Sequence, residues 1–201
     1  MSAPATRVVL AITGASGAVY GDAVLAALVA AGVRVELVVS PPGQRVARDE
    51  LGHGWDAAAL RERLGRGADA VTLHAPDDIG APIASGSFPT AAMIVAPCSM
   101  GSAGRIAAGL SDGLVERAAD VHLKERRRLV LVVRETPLST IHLENMLTVT
   151  RAGAVVLPAA PSFYSNPTTI DALLDTVVGR VLDQLGLPNQ LMPRWGAGGA
   201  A

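Results

Sequence analysis

The sequence predicts a single α/β domain whose parallel sheet is covered by helices on both faces, and three observations carry that reading. The first 39 residues hold a strand, a glycine turn, a helix and a second strand, which is a βαβ unit. Apolar runs alternate with segments of helical period along the rest of the 201-residue chain. Polar residues collect where those runs end, and a doubly wound sheet binds its ligands beyond the carboxyl ends of its strands.

Residues 8–12 are an unbroken apolar run closed by Thr13-Gly14, the pattern of a strand buried on both faces. Residues 18–31 have helical spacing and stop at Gly32; 33–39 form the next strand, which ends at Ser40 before Pro41-Pro42. A short helix follows over 43–50, whereas 51–69, rich in Gly and Arg, carries no clear pattern. Residues 70–73 read as a strand, and 91–96 as a stronger one closing at Pro97-Cys98-Ser99. Beyond it come a helix over 114–126, a strand over 129–133, a helix over 138–152 and a strand over 154–157. A Pro/Ser/Asn loop then leads to a helix over 169–185. Residues 1–187 make the domain, and the Gly/Ala-rich tail 188–201 frays or crosses to a neighbouring subunit. The five best strands deliver Gly14–Gly17, Ser40, Ser99, Arg134-Glu135 and Tyr164 to one edge.

Composition excludes several classes. Seventeen basic residues against 18 acidic give a net charge of −1, so no polyanion-binding face is built and nucleic acid is not a partner. Half of the residues are hydrophobic and 35 of these are Ala, which leaves enough larger side chains for one core. Only 17 % are charged, a balance that points to an oligomer-forming surface. A charge-free stretch of 26 residues, 79–104, has the length of a bilayer span, but Pro82, Pro89, Pro97 and four glycines would leave backbone groups unsatisfied in lipid. The N-terminal apolar run is too short for a signal segment, so the chain reads as cytoplasmic with no membrane partner. One cysteine excludes an internal disulfide and a cysteine-built metal site, and the four histidines lie 20 or more residues apart, so no metal is expected.

Three local features bear on chemistry. Gly14-Ala15-Ser16-Gly17 either cradles a phosphate on backbone N–H groups at a helix start or is a tight turn with Ser16 as N-cap. It is neither the dinucleotide fingerprint nor a P-loop, and Ala18 excludes the hydrolase elbow. Lys124 is the only lysine against 16 arginines. A retained ammonium suits a site that needs a compact donor, and Arg117, seven residues earlier, shares its helical face; the competing reading is an i, i+4 surface pair with Asp120. Cys98 reads as a buried structural thiol, His142 as structural, Arg126–Arg128 as a solvated helix end, and nothing local singles out Glu50.

Taken together, TGASGAVYG at 13–21, SGSFPT at 85–90, APCSM at 96–100, GLSDGLVERAADVHLKERRRLVLVVRETPL at 109–138 and PAAPSFYSNPTTIDALLDTVVGRVLDQLG at 158–186 resemble the UbiX-type flavin prenyltransferases. These belong to the wider family of homo-oligomeric flavin-containing decarboxylase-like proteins. The resemblance implies a Rossmann-like, flavodoxin-type three-layer sheet assembled into a dodecamer. It implies transfer of the dimethylallyl group of dimethylallyl phosphate to reduced FMN, first at N5 and then with ring closure at C6. The prenylated FMN then passes to a UbiD-type decarboxylase, and no metal is used.

Carried over by motif, Gly14, Ala15, Ser16, Ser40, Ser99, Met100, Gly101, Ser102 and Arg134 contact FMN. Arg117, Lys124, Tyr164 and Arg180 hold the allylic phosphate. Ser16 and Glu50 move protons during ring closure, Lys124 offsets charge at the leaving phosphate, and Glu135 orients the cations or protonates phosphate. Trp195 has a counterpart in the family's tail. Gly101 departs from the lysine that many members carry there, a loss for which Arg105 is the candidate replacement. Two other readings are a non-enzymatic FMN carrier, which has no need of a second phosphate site, and a flavin-dependent cysteine decarboxylase. The latter class places a histidine on the first helix, where this chain has Val19-Tyr20-Gly21-Asp22.

Overall fold

The computed structural model describes residues 6–194. Six parallel strands form one sheet in the order β3-β2-β1-β4-β5-β6: β1 (Arg7–Ile12), β2 (Arg34–Val39), β3 (Val71–His74), β4 (Ala92–Cys98), β5 (Arg128–Val133) and β6 (Val155–Pro158). The chain reverses its direction of travel across the sheet between β1 and β4, which opens a crevice beyond their carboxyl ends.

Alternate residues of each strand feed two cores. On one face Val8, Leu10, Ile12, Leu37, Ile94 and Val130 pack under α1 (Ala18–Ala30), α2 (Pro41–Leu51), α3 (Ala57–Leu64) and α7 (Ile170–Gln184). On the other, Val9, Ala11, Val38, Met93, Val95 and Leu131 pack under α4 (Met100–Ala107), α5 (Leu114–Lys124) and α6 (Thr140–Ala152). The central strands are buried throughout, and that is why they read as unbroken apolar runs.

Most boundaries move by one or two residues from the sequence reading. The second helix begins at Pro41 rather than 43, because proline is tolerated at the first helical positions and Ser40 Oγ caps it by accepting the Gly43 N–H at 3.1 Å. Strand β4 runs on through Pro97-Cys98, with a cis Ala96–Pro97 peptide and a register shift against β5 between Val95 and Cys98.

Two helices were absent from that reading. The α3 helix fills part of 51–69 and starts at Asp56, whose carboxylate accepts the Ala59 N–H at 2.8 Å. The α4 helix holds two glycines and a serine in its eight residues, and is set by its Ser99 cap and by burial rather than by propensity. Arg127 is no solvated helix end: its guanidinium donates to the carbonyls of Phe88 at 2.9 Å and Gly86 at 2.5 Å, and to Thr90 Oγ1 at 3.1 Å.

The described part of the tail bonds to α7. Asn189 donates to Asp183 Oδ1 at 3.1 Å and Arg194 to Asp183 Oδ2 at 2.7 Å, which folds 188–194 back along α7. Trp195 lies outside the described residues. Among the described residues no helix is long and apolar enough to cross a membrane, and no three His, Cys, Asp or Glu side chains group to hold a metal.

The histidines have structural partners. His74 Nε2 lies 2.7 Å from Glu36, which also pairs with Arg7 at 2.9 Å. His122 Nδ1 donates to the Ala118 carbonyl at 2.7 Å while Nε2 meets Thr90 Oγ1 at 3.0 Å. His142 completes a capping box with Ser139.

Candidate active site

The crevice floor is tied together by Thr13, a residue the sequence reading did not single out. Its buried hydroxyl donates to the Pro97 carbonyl at 2.8 Å and accepts the Ser99 N–H at 2.8 Å, joining the ends of β1 and β4. A polar residue closing an apolar run was the available signal. Gly14 is required by packing, since a Cβ there would stand 2.5 Å from Pro42 Cβ.

Ser16 is not the N-cap of α1. Gly17 takes that position with φ +98°, a conformation that favours glycine. The orphan N–H groups are satisfied by Glu50, from the end of α2: Gly17 N–H donates to both carboxylate oxygens, at 2.8 and 3.1 Å, and Ala18 N–H donates at 2.8 Å. A carboxylate 33 positions along the chain thus performs the capping that a local side chain usually performs. Burial works to raise the Glu50 pKa, but hydrogen bonds from the Ser16 hydroxyl and the Ala18 and Gly17 amides, with the charge of Arg134, outweigh it and hold the carboxyl below its ordinary value. Glu50 is therefore an anion at neutral pH.

Arg134 emerges from the end of β5, its N–H donating to the Cys98 carbonyl at 3.2 Å. Tyr20, on the first turn of α1, lies half-buried beside it; burial raises the Tyr20 pKa and the Arg134 charge partly opposes this. Ser99 caps α4, accepting the Ser102 N–H at 3.2 Å. Cys98 is fully buried, and that burial, with Glu116 nearby, pushes its thiol up to about 12, so it is neither nucleophile nor ligand. Ser16, Ser40 and Ser99 thus stand at the N-termini of three helices, α1, α2 and α4, with Glu50 and Arg134 beside the first, a donor set that fits a phosphorylated flavin. Met100 is buried behind it, and a Cβ at Gly101 would make an ordinary contact with Arg105 at 3.7 Å, so packing does not require glycine there.

The phosphate-binding candidates do not all join them. Tyr164 and Arg180 come together on a separate cleft of about 630 Å³ along the open edge of β6, with Thr176 and Arg194. Arg117 and Lys124 lie on α5, under the opposite face of the sheet from Glu50. Lys124 ends that helix before β5 begins, whereas Arg134 follows its last residue, so the six-residue strand puts about 20 Å between them. The Lys124–Asp120 pair is not formed. Asp120 accepts from Arg117 at 2.9 Å, because three residues of helix bring them closer, and Lys124 Nζ donates to Glu125 at 2.6 Å. Glu135 is exposed, accepting the Thr136 N–H at 3.1 Å. Arg105, the candidate substitute for the missing lysine, is instead paired with Glu116 at 2.8 Å.

Fold and crevice together define a doubly wound α/β protein that binds a mononucleotide at its topological switch point. Comparison makes this specific. The flavoprotein family profile matches residues 2–182. The flavin prenyltransferase UbiX of Halalkalibacterium halodurans is 50 % identical over 187 residues, covering 92 % of this chain and 91 % of the relative. The chain belongs to the flavoprotein family and, within it, to the UbiX-type flavin prenyltransferases. Among solved structures, AnUbiX in complex with FMN and dimethylallyl pyrophosphate superposes with a TM-score of 0.88 at 45 % identity, covering 96 % of this chain and 99 % of the other. A dodecameric FMN-dependent UbiX-like decarboxylase from Escherichia coli O157:H7 gives 0.81 at 47 % identity, with 90 % and 96 % covered. The cysteine decarboxylase TvaF, at 18 % identity and a TM-score of 0.61, shares the fold alone.

Proposed function

We propose that this chain is a cytoplasmic flavin prenyltransferase that joins the dimethylallyl group of dimethylallyl phosphate to N5 and C6 of reduced FMN, for delivery to a UbiD-type decarboxylase. The observation that carries the reading is the Glu50 carboxylate held by the Gly17 and Ala18 amides and beside Ser16 and Arg134 at the switch-point crevice, and the reading takes the motif-matched Arg117, Lys124, Tyr164 and Arg180 as a second, anion-binding set. Storage of FMN alone needs no second set.

Reduced FMN supplies the nucleophilic N5 and C6 positions. The chain's own groups do the remainder. Arg117, Lys124, Tyr164 and Arg180 offset the charge that builds on phosphate as its C–O bond to the allyl group breaks, an electrostatic role filled without a metal. Glu50, already an anion, accepts the proton that C6 must lose on ring closure, and the Ser16 hydroxyl on its carboxylate provides the path. Glu135 orients the cations or protonates the departing phosphate.

The same reading supports a shared site. One chain places Lys124 about 20 Å from its own Arg134, so Lys124 serves the crevice of a neighbouring copy. Helix α6 supports such assembly, for Ile141, Leu143 and Leu147 are all exposed on it and Leu138 just before it. Exposed apolar side chains clustered on one element mark an interaction surface, and a dodecamer is the state proposed.

The deciding experiment is mass spectrometry of flavin released after anaerobic incubation with reduced FMN and dimethylallyl phosphate. A five-carbon mass gain is expected. Flavin returned unchanged overturns the assignment in favour of an FMN carrier.

A further inference from the structure

Behind the N-terminus of α4 a line of polar side chains leads inward from the crevice. It starts at Glu116, on the first turn of α5 and only 5 % exposed. A carboxylate buried this far needs a charged partner. Arg105, in the last turn of α4, donates Nε to Glu116 at 2.8 Å and turns Nη2 to Ser102 Oγ at 3.1 Å. Ser102, 1 % exposed, also accepts from Ser99 Oγ at 3.2 Å. The Ser99 N–H in turn donates to Thr13 Oγ1 at 2.8 Å. A buried anion in α5 is thereby connected to both loops that floor the crevice.

Proton directions along this line follow from the guanidinium at one end and the geometry at the other. A guanidinium only donates, so Ser102 Oγ must turn a lone pair to Arg105. The geometry makes the Ser99 hydroxyl the donor to Ser102 at 3.2 Å, which leaves its lone pairs for the α4 amide and for whatever lies in the crevice. Arg105 is itself 45 % exposed. Without the buried carboxylate only the neutral Ser102 hydroxyl holds it inward against hydration, and both serine rotors are loosened.

We propose that Glu116 is a positioning residue for the flavin site, fixing the Ser102 and Ser99 hydroxyls through Arg105. The inference rests on the flavin-binding reading of the crevice, and it accounts for the use of Arg105 as a strut rather than as a replacement for the lysine absent at 101.

The test is FMN titration of the apoprotein by fluorescence, with the absorption band of the bound flavin recorded alongside, for Glu116→Gln, Arg105→Lys, Ser102→Ala and the Glu116→Gln/Ser102→Ala double variant. Glu116→Gln is expected to weaken FMN binding about tenfold, the scale of one lost charge-assisted hydrogen bond, and to shift the band. Arg105→Lys should do the same, since one ammonium cannot reproduce a fork that spans two acceptors. The double variant should bind no worse than Ser102→Ala alone, because the two changes interrupt one line. Wild-type affinity with an unshifted band in Glu116→Gln overturns the proposal, as do additive effects in the double variant. Should Glu116→Gln fail to fold, Arg105→Lys decides by the same readouts. A wild-type protein that binds FMN but never prenylates it would overturn the proposed function while leaving this titration valid.

Discussion

Replacing Glu50 by Gln removes a charge while keeping the side chain's size, and the structure assigns two separable consequences. The first is on stability. The Glu50 carboxylate accepts the Gly17 and Ala18 N–H groups at the start of α1, both at 2.8 Å. Gln retains one acceptor oxygen but turns an NH₂ towards the remaining donors. Losing part of a cap costs about 1 kcal/mol, and losing the negative charge at an exposed helix N-terminus about 0.3–1 kcal/mol. A fall in thermal midpoint of about 3–8 °C follows for a domain of this size.

The second consequence is on chemistry. Removing a positioned base slows prenyl transfer by about 10²–10⁴-fold, with FMN binding kept. The pH dependence has a defined sign. The folded-state pKa of Glu50 lies below its ordinary value of 4.5, so its contribution is fully present above that value and is lost as pH falls through the folded pKa. The stability gap between wild type and Glu50→Gln should be constant from pH 6 to 8 and close in that acid window. Scanning calorimetry across pH and single-turnover flavin absorbance measure the two effects. A variant with wild-type midpoint and wild-type rate would refute both roles, and loss of FMN binding would mean that Glu50 holds the flavin rather than a proton.

Three further outcomes are expected. Lys124→Arg and Lys124→Ala should both keep FMN yet lose about 10²-fold in prenyl transfer; if Lys124 serves only Glu125, Lys124→Arg will be fully active in the same absorbance assay. Light scattering at micromolar concentration should give one large species, which Leu143→Glu with Leu147→Glu breaks down; a stable wild-type monomer would remove the shared site. Cys98, fully buried with its thiol raised to about 12, should resist iodoacetamide in the native protein at pH 8, as read by intact mass, and rapid alkylation would contradict its placement.

The sheet was legible because its central strands are buried on both faces and leave unbroken apolar runs such as 92–96. Helix α4 was not, since two glycines and a serine in eight residues erase the helical signal and the cap at Ser99 is the cue that remains. The glycine turn is legible, but the cap at its helix is not: of the two readings, the one that caps with Ser16 fails because the cap comes from Glu50, 33 residues from Gly17. Lys124 was given the wrong alternative partner for a related reason. The i, i+4 rule names Asp120, but Arg117 reaches it first at i+3. Glu116 carries no sequence signal, for a glutamate on a helix's first turn is ordinarily a solvated residue favoured by the helix dipole.

The distance between Lys124 and the crevice of the same chain has a genetic consequence. If each centre draws its carboxylate from one copy and its ammonium from another, two inactive alleles can rescue one another. Coassembly of equal amounts of Glu50→Gln and Lys124→Ala subunits with random mixing would leave about a quarter of centres with both native groups. Activity would then return to a mixture of two dead proteins after joint refolding, and would not return on mixing the finished assemblies.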